Sequence, residues 1–174
     1  DVTLTATSTI GGSVTSGDGV DIITNVGSIS GSVLANAGDN EITNDGMIGA
    51  DVITTAGADD ITNSGMIGGD LNVGEGSNTI ILMSGSDIGG SILAGAANDS
   101  ITGVSQVGGD VVAGGGNNII TFNTNSVVDG GVTALAGDDA YTNDGVVMMD
   151  VDLGDGLNTA DLGTNSDIRG SLTA

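Results

Sequence analysis

From Ile10 onward the chain writes one unit of 19 or 21 residues eight times and begins a ninth. The openings are IGGSV (Ile10), ISGSV (Ile29), IGADV (Ile48), IGGDL (Ile67), IGGSI (Ile88), VGGDV (Val107), VDGGV (Val128), VMMDV (Val147) and IRGSL (Ile168). A period near 20 made of strand-like pieces restricts the fold to a solenoid. Each unit is one coil, and a coil buries its apolar side only by stacking on its neighbours.

Counting from the opening Ile or Val as position zero, the units align in columns. Position four holds Val14, Val33, Val52, Leu71, Ile92, Val111, Val132, Val151 and Leu172, and position two is small in all but Met149. This period-two alternation predicts a strand with one buried face. Gly at position nine and Asp or Asn at position eleven predict a turn, because Gly supplies positive φ and an Asx side chain bonds back to the turn. A second strand follows with Ile23, Ile42, Ile61, Ile80, Ile101, Ile120, Tyr141 and Ala160 at position thirteen. Asn25, Asn44 and Asn63 fall two residues later in short coils, where they predict an amide ladder along the axis. Long coils place Leu82, Phe122 and Leu162 there and add two residues, which predicts a bulge or wider corner.

The expected fold is therefore all-β: a parallel β-helix or β-solenoid of about eight coils, with two main strands per coil and uncapped ends. Parallel crossovers make it right-handed. The solenoid is one domain, 1–174: residues 1–9 are the second half of a coil, 10–167 are eight complete coils, and 168–174 are the first half of another. With one Phe, one Tyr and no Trp, the core must be thin and aliphatic. Thirty-three glycines and no proline suit repeated turns joined by strands that keep every N–H donor.

One basic residue, Arg169, stands against 23 acids, for a net charge of −22. That balance excludes nucleic acid as a partner and invites cations. No apolar run is long enough for a membrane-spanning helix. No signal peptide is visible, and a first residue of Asp reads as a mature or excised segment. Without His, Cys or Lys the chain has few groups for catalysis, and its two aromatic residues fall at inward positions, so the expectation is a protein that is not an enzyme.

The end fragments complete each other. DVTLTATST aligns with TADLGTNSD, so Val2 matches Ala160 and Leu4 matches Leu162. Ile168 and Leu172 keep the interior pattern to the end. Such ends predict head-to-tail joining of identical chains, an open heterologous contact that yields filaments. The expected contact residues are Val2, Leu4, Ile10 and Val14 at one end and Val147, Val151, Ile168, Arg169 and Leu172 at the other. A slice from a longer solenoid gives the same pattern, and both readings stay open here.

GDGVDII, GEGSNTI, AGADDIT and AGDDAYT resemble degenerate RTX nonapeptides, and DDITNSGMIGGDL resembles repeats of bacterial autotransporter-type adhesin passengers. The resemblance implies a secreted or cell-surface bacterial protein, and calcium (Ca2+) at Asp21, Asp59, Asp99 and Asp139, preceded by Gly19, Gly57 and Gly137. The chain departs from that family in its period of 19 or 21 rather than nine and in alternating Asp with Asn. That alternation also serves a purely structural end, since it separates like charges by two coils.

Three functions follow as expectations. The leading one is a structural subunit of an extracellular self-assembling filament. The second is a calcium-stiffened spacer or adhesive segment of a large surface protein. The third, ice binding, would use the outward Thr24, Thr43, Thr62 and Thr102, an array that Ile81 and Asp161 interrupt.

Overall fold

A computed structural model describes all 174 residues, Asp1–Ala174. It has no helix. Its strands form a 16-stranded and a 9-stranded sheet, and every pairing between them is parallel. The columns read from sequence are the observed registers. Val14 pairs Val33, Val33 pairs Val52, Val52 pairs Leu71, and the series runs on to Val151 and Leu172 in the nine-stranded sheet. In the larger sheet Val2 pairs Ile23, Ile23 pairs Ile42, and the series ends with Tyr141 on Ala160.

The coils have the two expected main strands, and most open with a third, two-residue strand; at Ile88 and Val107 that opening is instead the end of a continuous strand, Thr79–Ile88 or Ser100–Val107. The opening pair, for example Met47–Ile48, joins the larger sheet, whereas position four, for example Val52–Ala56, joins the smaller one. The Gly-rich pair at positions one and two lies between them and bends the chain. Backbone without side chains turns there at little steric cost, so an alternation that reads as one strand is split between two sheets.

The core is a stack of 31 buried apolar side chains, and Phe122 and Tyr141 are its only aromatic members. Their rings meet edge to face at 6.2 Å between centroids, a favoured aromatic geometry. The amide ladder is present: Asn25 Nδ2 donates to Asn44 Oδ1 and Asn44 Nδ2 to Asn63 Oδ1, each at 2.8 Å. The wider corner is present too. Leu82 pairs Gly103 and Ser86 pairs Ser105, so two additional residues sit in the longer coil. Gly103, with φ 143°, occupies this column between the coils that carry Leu82 and Phe122.

Candidate functional site

The end windings carry the predicted contact residues. At the N-terminal end Leu4 is 4% and Val14 7% exposed, and Val2 and Ile10 are half-buried against the core. At the C-terminal end Leu162 is 47% and Leu172 39% exposed, and Ile168 is half-buried. The two ends are thus unequal: the open apolar surface belongs to the C-terminal winding. Val147 and Val151 are fully buried, since Ile168 and Leu172 pair on top of them. Among the expected contact residues these two are therefore support beneath the surface. Arg169 is exposed and paired with Asp167 in its own winding at 3.1 Å.

The two windings also share a corner. Ser8 N–H donates to Thr5 O at 2.9 Å and Ser166 N–H to Gly163 O at 3.2 Å, closing equivalent turns. Residues 1–16 and 159–174 occupy the same positions of the repeat. The apolar columns therefore match as Leu4 with Leu162, Ile10 with Ile168 and Val14 with Leu172.

The acidic column at position eleven points inward. Asp59, Asp99 and Asp139 are buried, and Asp21, in the first winding, is half-buried. The Oδ1 atoms of Asp59, Asp99 and Asp139 accept the backbone N–H of Asn40, Asn78 and Asn118, each at 2.8 Å. Asn rungs alternate with them. Asn78 Oδ1 accepts Asp59 N–H at 3.0 Å, and its Nδ2 donates to Gly76 O at 2.8 Å. The carboxylates have no N–H to give at that point, so Oδ2 of Asp59, Asp99 and Asp139 is left without a partner. Desolvation pushes the Asp99 carboxyl up to about 6; bonds from Asn78 oppose the shift and Glu75 adds to it. No three His, Cys, Asp or Glu side chains gather around a common point. Calcium takes six to eight oxygens, and each of these buried acids has only one uncommitted. The column alone does not build that shell.

A further ladder at position three escaped sequence reasoning. Asp51 Oδ1 accepts Asp70 N–H at 2.9 Å, Asp70 Oδ1 accepts Ser91 N–H at 2.8 Å, and Asp110 and Asp150 do the same for Gly131 and Ser171. Ser13 and Ser91 act likewise through Oγ on Ser32 and Asp110. The signal was the run of Ser and Asp at this position, which reads equally well as a solvated face. On the opposite corner Asp144 accepts from the Thr124 hydroxyl and from Asn165 N–H and Nδ2, and these bonds hold its carboxyl below the usual range.

The remaining surface has only shallow, open grooves. One of about 370 Å³ lies over the short corner at Val104–Gln106, beside the wider corner at Ser84–Asp87. No helix is long and apolar enough to cross a membrane. Family models, curated proteins and solved structures yield no match to this chain.

Proposed function

We propose that the protein is a structural subunit of an extracellular filament, growing head to tail by β-stacking of its end windings. The observation that carries this reading is that residues 1–16 and 159–174 occupy the same positions of the repeat, with Leu4 and Leu162 in one apolar column and Val14 and Leu172 in another. A second copy placed in register sets Leu4 on Leu162, Ile10 on Ile168 and Val14 on Leu172. Apolar burial of roughly 25 cal/mol per Å² and a continued backbone ladder both favour that arrangement. Charge permits it as well: Asp161 and Asp167 would face Thr3 and Thr9, and Asp1 would face Thr159. No acid lies on an acid in those columns of a chain whose net charge is −22. Neither end winding assembles a nucleophile with a base, so the reading is structural rather than catalytic.

Electron microscopy and light scattering of residues 1–174 across a concentration series test the proposal. Filaments are expected, and removal of Asp1 to Thr9 should abolish them while the far-ultraviolet dichroism keeps its β signature. Filaments that still grow after that deletion would refute the joint. Single particles at every concentration would instead favour a spacer segment within a larger surface protein.

A further inference from the structure

Two short corners lie between wider ones, and they are closed differently. Asp144 lies in a groove of about 360 Å³, between Thr124 of the coil before and Asn165 of the coil after. Its carboxylate ties both rims together. Oδ2 accepts the Thr124 hydroxyl, and Oδ1 accepts Asn165 N–H at 2.8 Å and Asn165 Nδ2 at 3.2 Å. The donors of that groove are thus used within the chain.

Two coils earlier Val104 holds the same place. It follows Gly103 as Asp144 follows Asn143, in one register, with Ser84 and Asn125 as the counterparts of Thr124 and Asn165. Val104 has no acceptor to offer. Asn125 has φ 74°, whereas Asn165 is outside the left-handed region, so the two rims turn differently. The groove over Val104, of about 370 Å³, is lined by the side chains of Ser84, Asp87, Gln106 and Asn125, and Val104 is its one apolar residue. None of those four polar side chains has a hydrogen-bond partner in the chain, although the equivalent groove satisfies its own.

We propose that the groove over Val104 binds a neutral sugar unit. The Ser84 hydroxyl and the amides of Gln106 and Asn125 both donate and accept, and Asp87 accepts. A ligand that answers all of them carries groups that also do both, as ring hydroxyls do. A hydroxyl over Val104 stands where the Asp144 carboxylate stands in the equivalent groove, and the Val104 side chain meets the C–H surface of the ring. The volume is that of a small-molecule site, ~300–1,000 Å³, and too large for a bare cation, whose oxygens must close to ~2.3–2.6 Å. Asp87 and a net charge of −22 disfavour an anion. The groove lies inside the stack, so the site does not depend on how chains join end to end.

Saturation-transfer difference NMR on residues 1–174 tests this, because it reads the sugar and tolerates assemblies of any size. The probes are glucose, galactose, mannose and N-acetylglucosamine, with glucuronate as the charged control. At least one neutral sugar should bind saturably, with a dissociation constant on the order of 1 mM for so open a site, and glucuronate about tenfold more weakly or worse. Val104→Asp supplies the missing acceptor from within and should weaken binding about tenfold or more while the melting temperature is kept. Adding Asp144→Val to that variant should restore the signal by freeing the equivalent groove. No saturable transfer to any of the four neutral sugars, or equal affinity in Val104→Asp, overturns the site. A double variant that stays silent overturns the role given to the carboxylate, and glucuronate binding as tightly as the neutral sugars overturns the ligand class.

Discussion

Asn44→Ala, at the centre of the amide ladder, probes what holds neighbouring coils together. Asn44 is fully buried. Its Oδ1 accepts from Asn25 at 2.8 Å, and its Nδ2 donates to Asn63 Oδ1 at 2.8 Å and to Met66 O at 3.2 Å. Alanine removes three bonds worth about 1 kcal/mol each, and a buried polar group left unpaired costs a further ~1–3 kcal/mol. Asn25 Nδ2 keeps Met47 O as an acceptor, but Asn63 Oδ1 keeps no donor. The expected loss is therefore about 3–5 kcal/mol, which at ~2–4 °C per kcal/mol lowers the melting temperature by roughly 6–20 °C. Urea unfolding followed by circular dichroism measures it. Combination with Asn63→Ala should reveal coupling of at least about 0.5 kcal/mol. Thr43→Ala, on the outward side, should stay within about 0.5 kcal/mol of the parent. A loss below about 1 kcal/mol for Asn44→Ala, or strict additivity with Asn63→Ala, would refute the ladder as a source of stability.

Ala97 holds φ 97° in a column otherwise made of glycine, so Ala97→Gly should raise stability by about 1 kcal/mol. The reverse change, Gly76→Ala, places a Cβ 1.8 Å from Gly57 O at φ 121° and should cost about 2 kcal/mol or more by the same unfolding assay. Tyr141 has a buried hydroxyl with no partner, and burial raises its pKa. Tyr141→Phe should thus be neutral or stabilising in a thermal melt, and a loss above about 1 kcal/mol would reveal a partner for the hydroxyl. Asp99 titrates at about 6 in the fold against 3.8 ordinarily, so the folded state binds its proton more tightly. Its contribution is full below pH 3.8 and is lost as pH rises through about 6. Asp99→Asn should flatten the stability profile across that window and be the more stable protein at pH 7.

The columns were legible because the same side-chain periodicity is repeated in every coil. Ile at position thirteen and Val, Leu or Ile at position four declare burial wherever they recur. The difference between 19 and 21 residues likewise declared the corners at Leu82, Phe122 and Leu162. The bend at the opening was not legible, since Gly12 or Gly31 fits an extended strand and a bend equally well. Nor was the inequality of the ends: Leu4 and Leu162 are the same residue in the same column, each paired with an Asn of one neighbouring coil, yet Leu4 is buried and Leu162 exposed. The Asp residues at position eleven read as turn residues that bond back locally and, by the resemblance, as cation ligands. Their actual place inside the turn depends on N–H donors from a coil 19 or 21 residues away, which no local pattern displays.

These ladders also explain how so acidic a chain can stack at all. Asp51 and Asp70 stand in adjacent coils, roughly 4.8 Å apart along the axis, where like charges repel. Each carboxylate nevertheless accepts a backbone N–H from the coil above, a charge-assisted bond stronger than a neutral one. At position eleven the arrangement is different: every second rung is Asn, and the buried acids never lie in neighbouring coils. Exposed acids are thus tolerated in succession because water screens them, while buried ones are spaced apart. The end windings follow the same logic. Ser13 and Ser171, like Ser32, Ser91 and Gly131, are uncharged members of the position-three column, so the surfaces proposed to meet lack the repulsion that Asp51 and Asp70 have to offset.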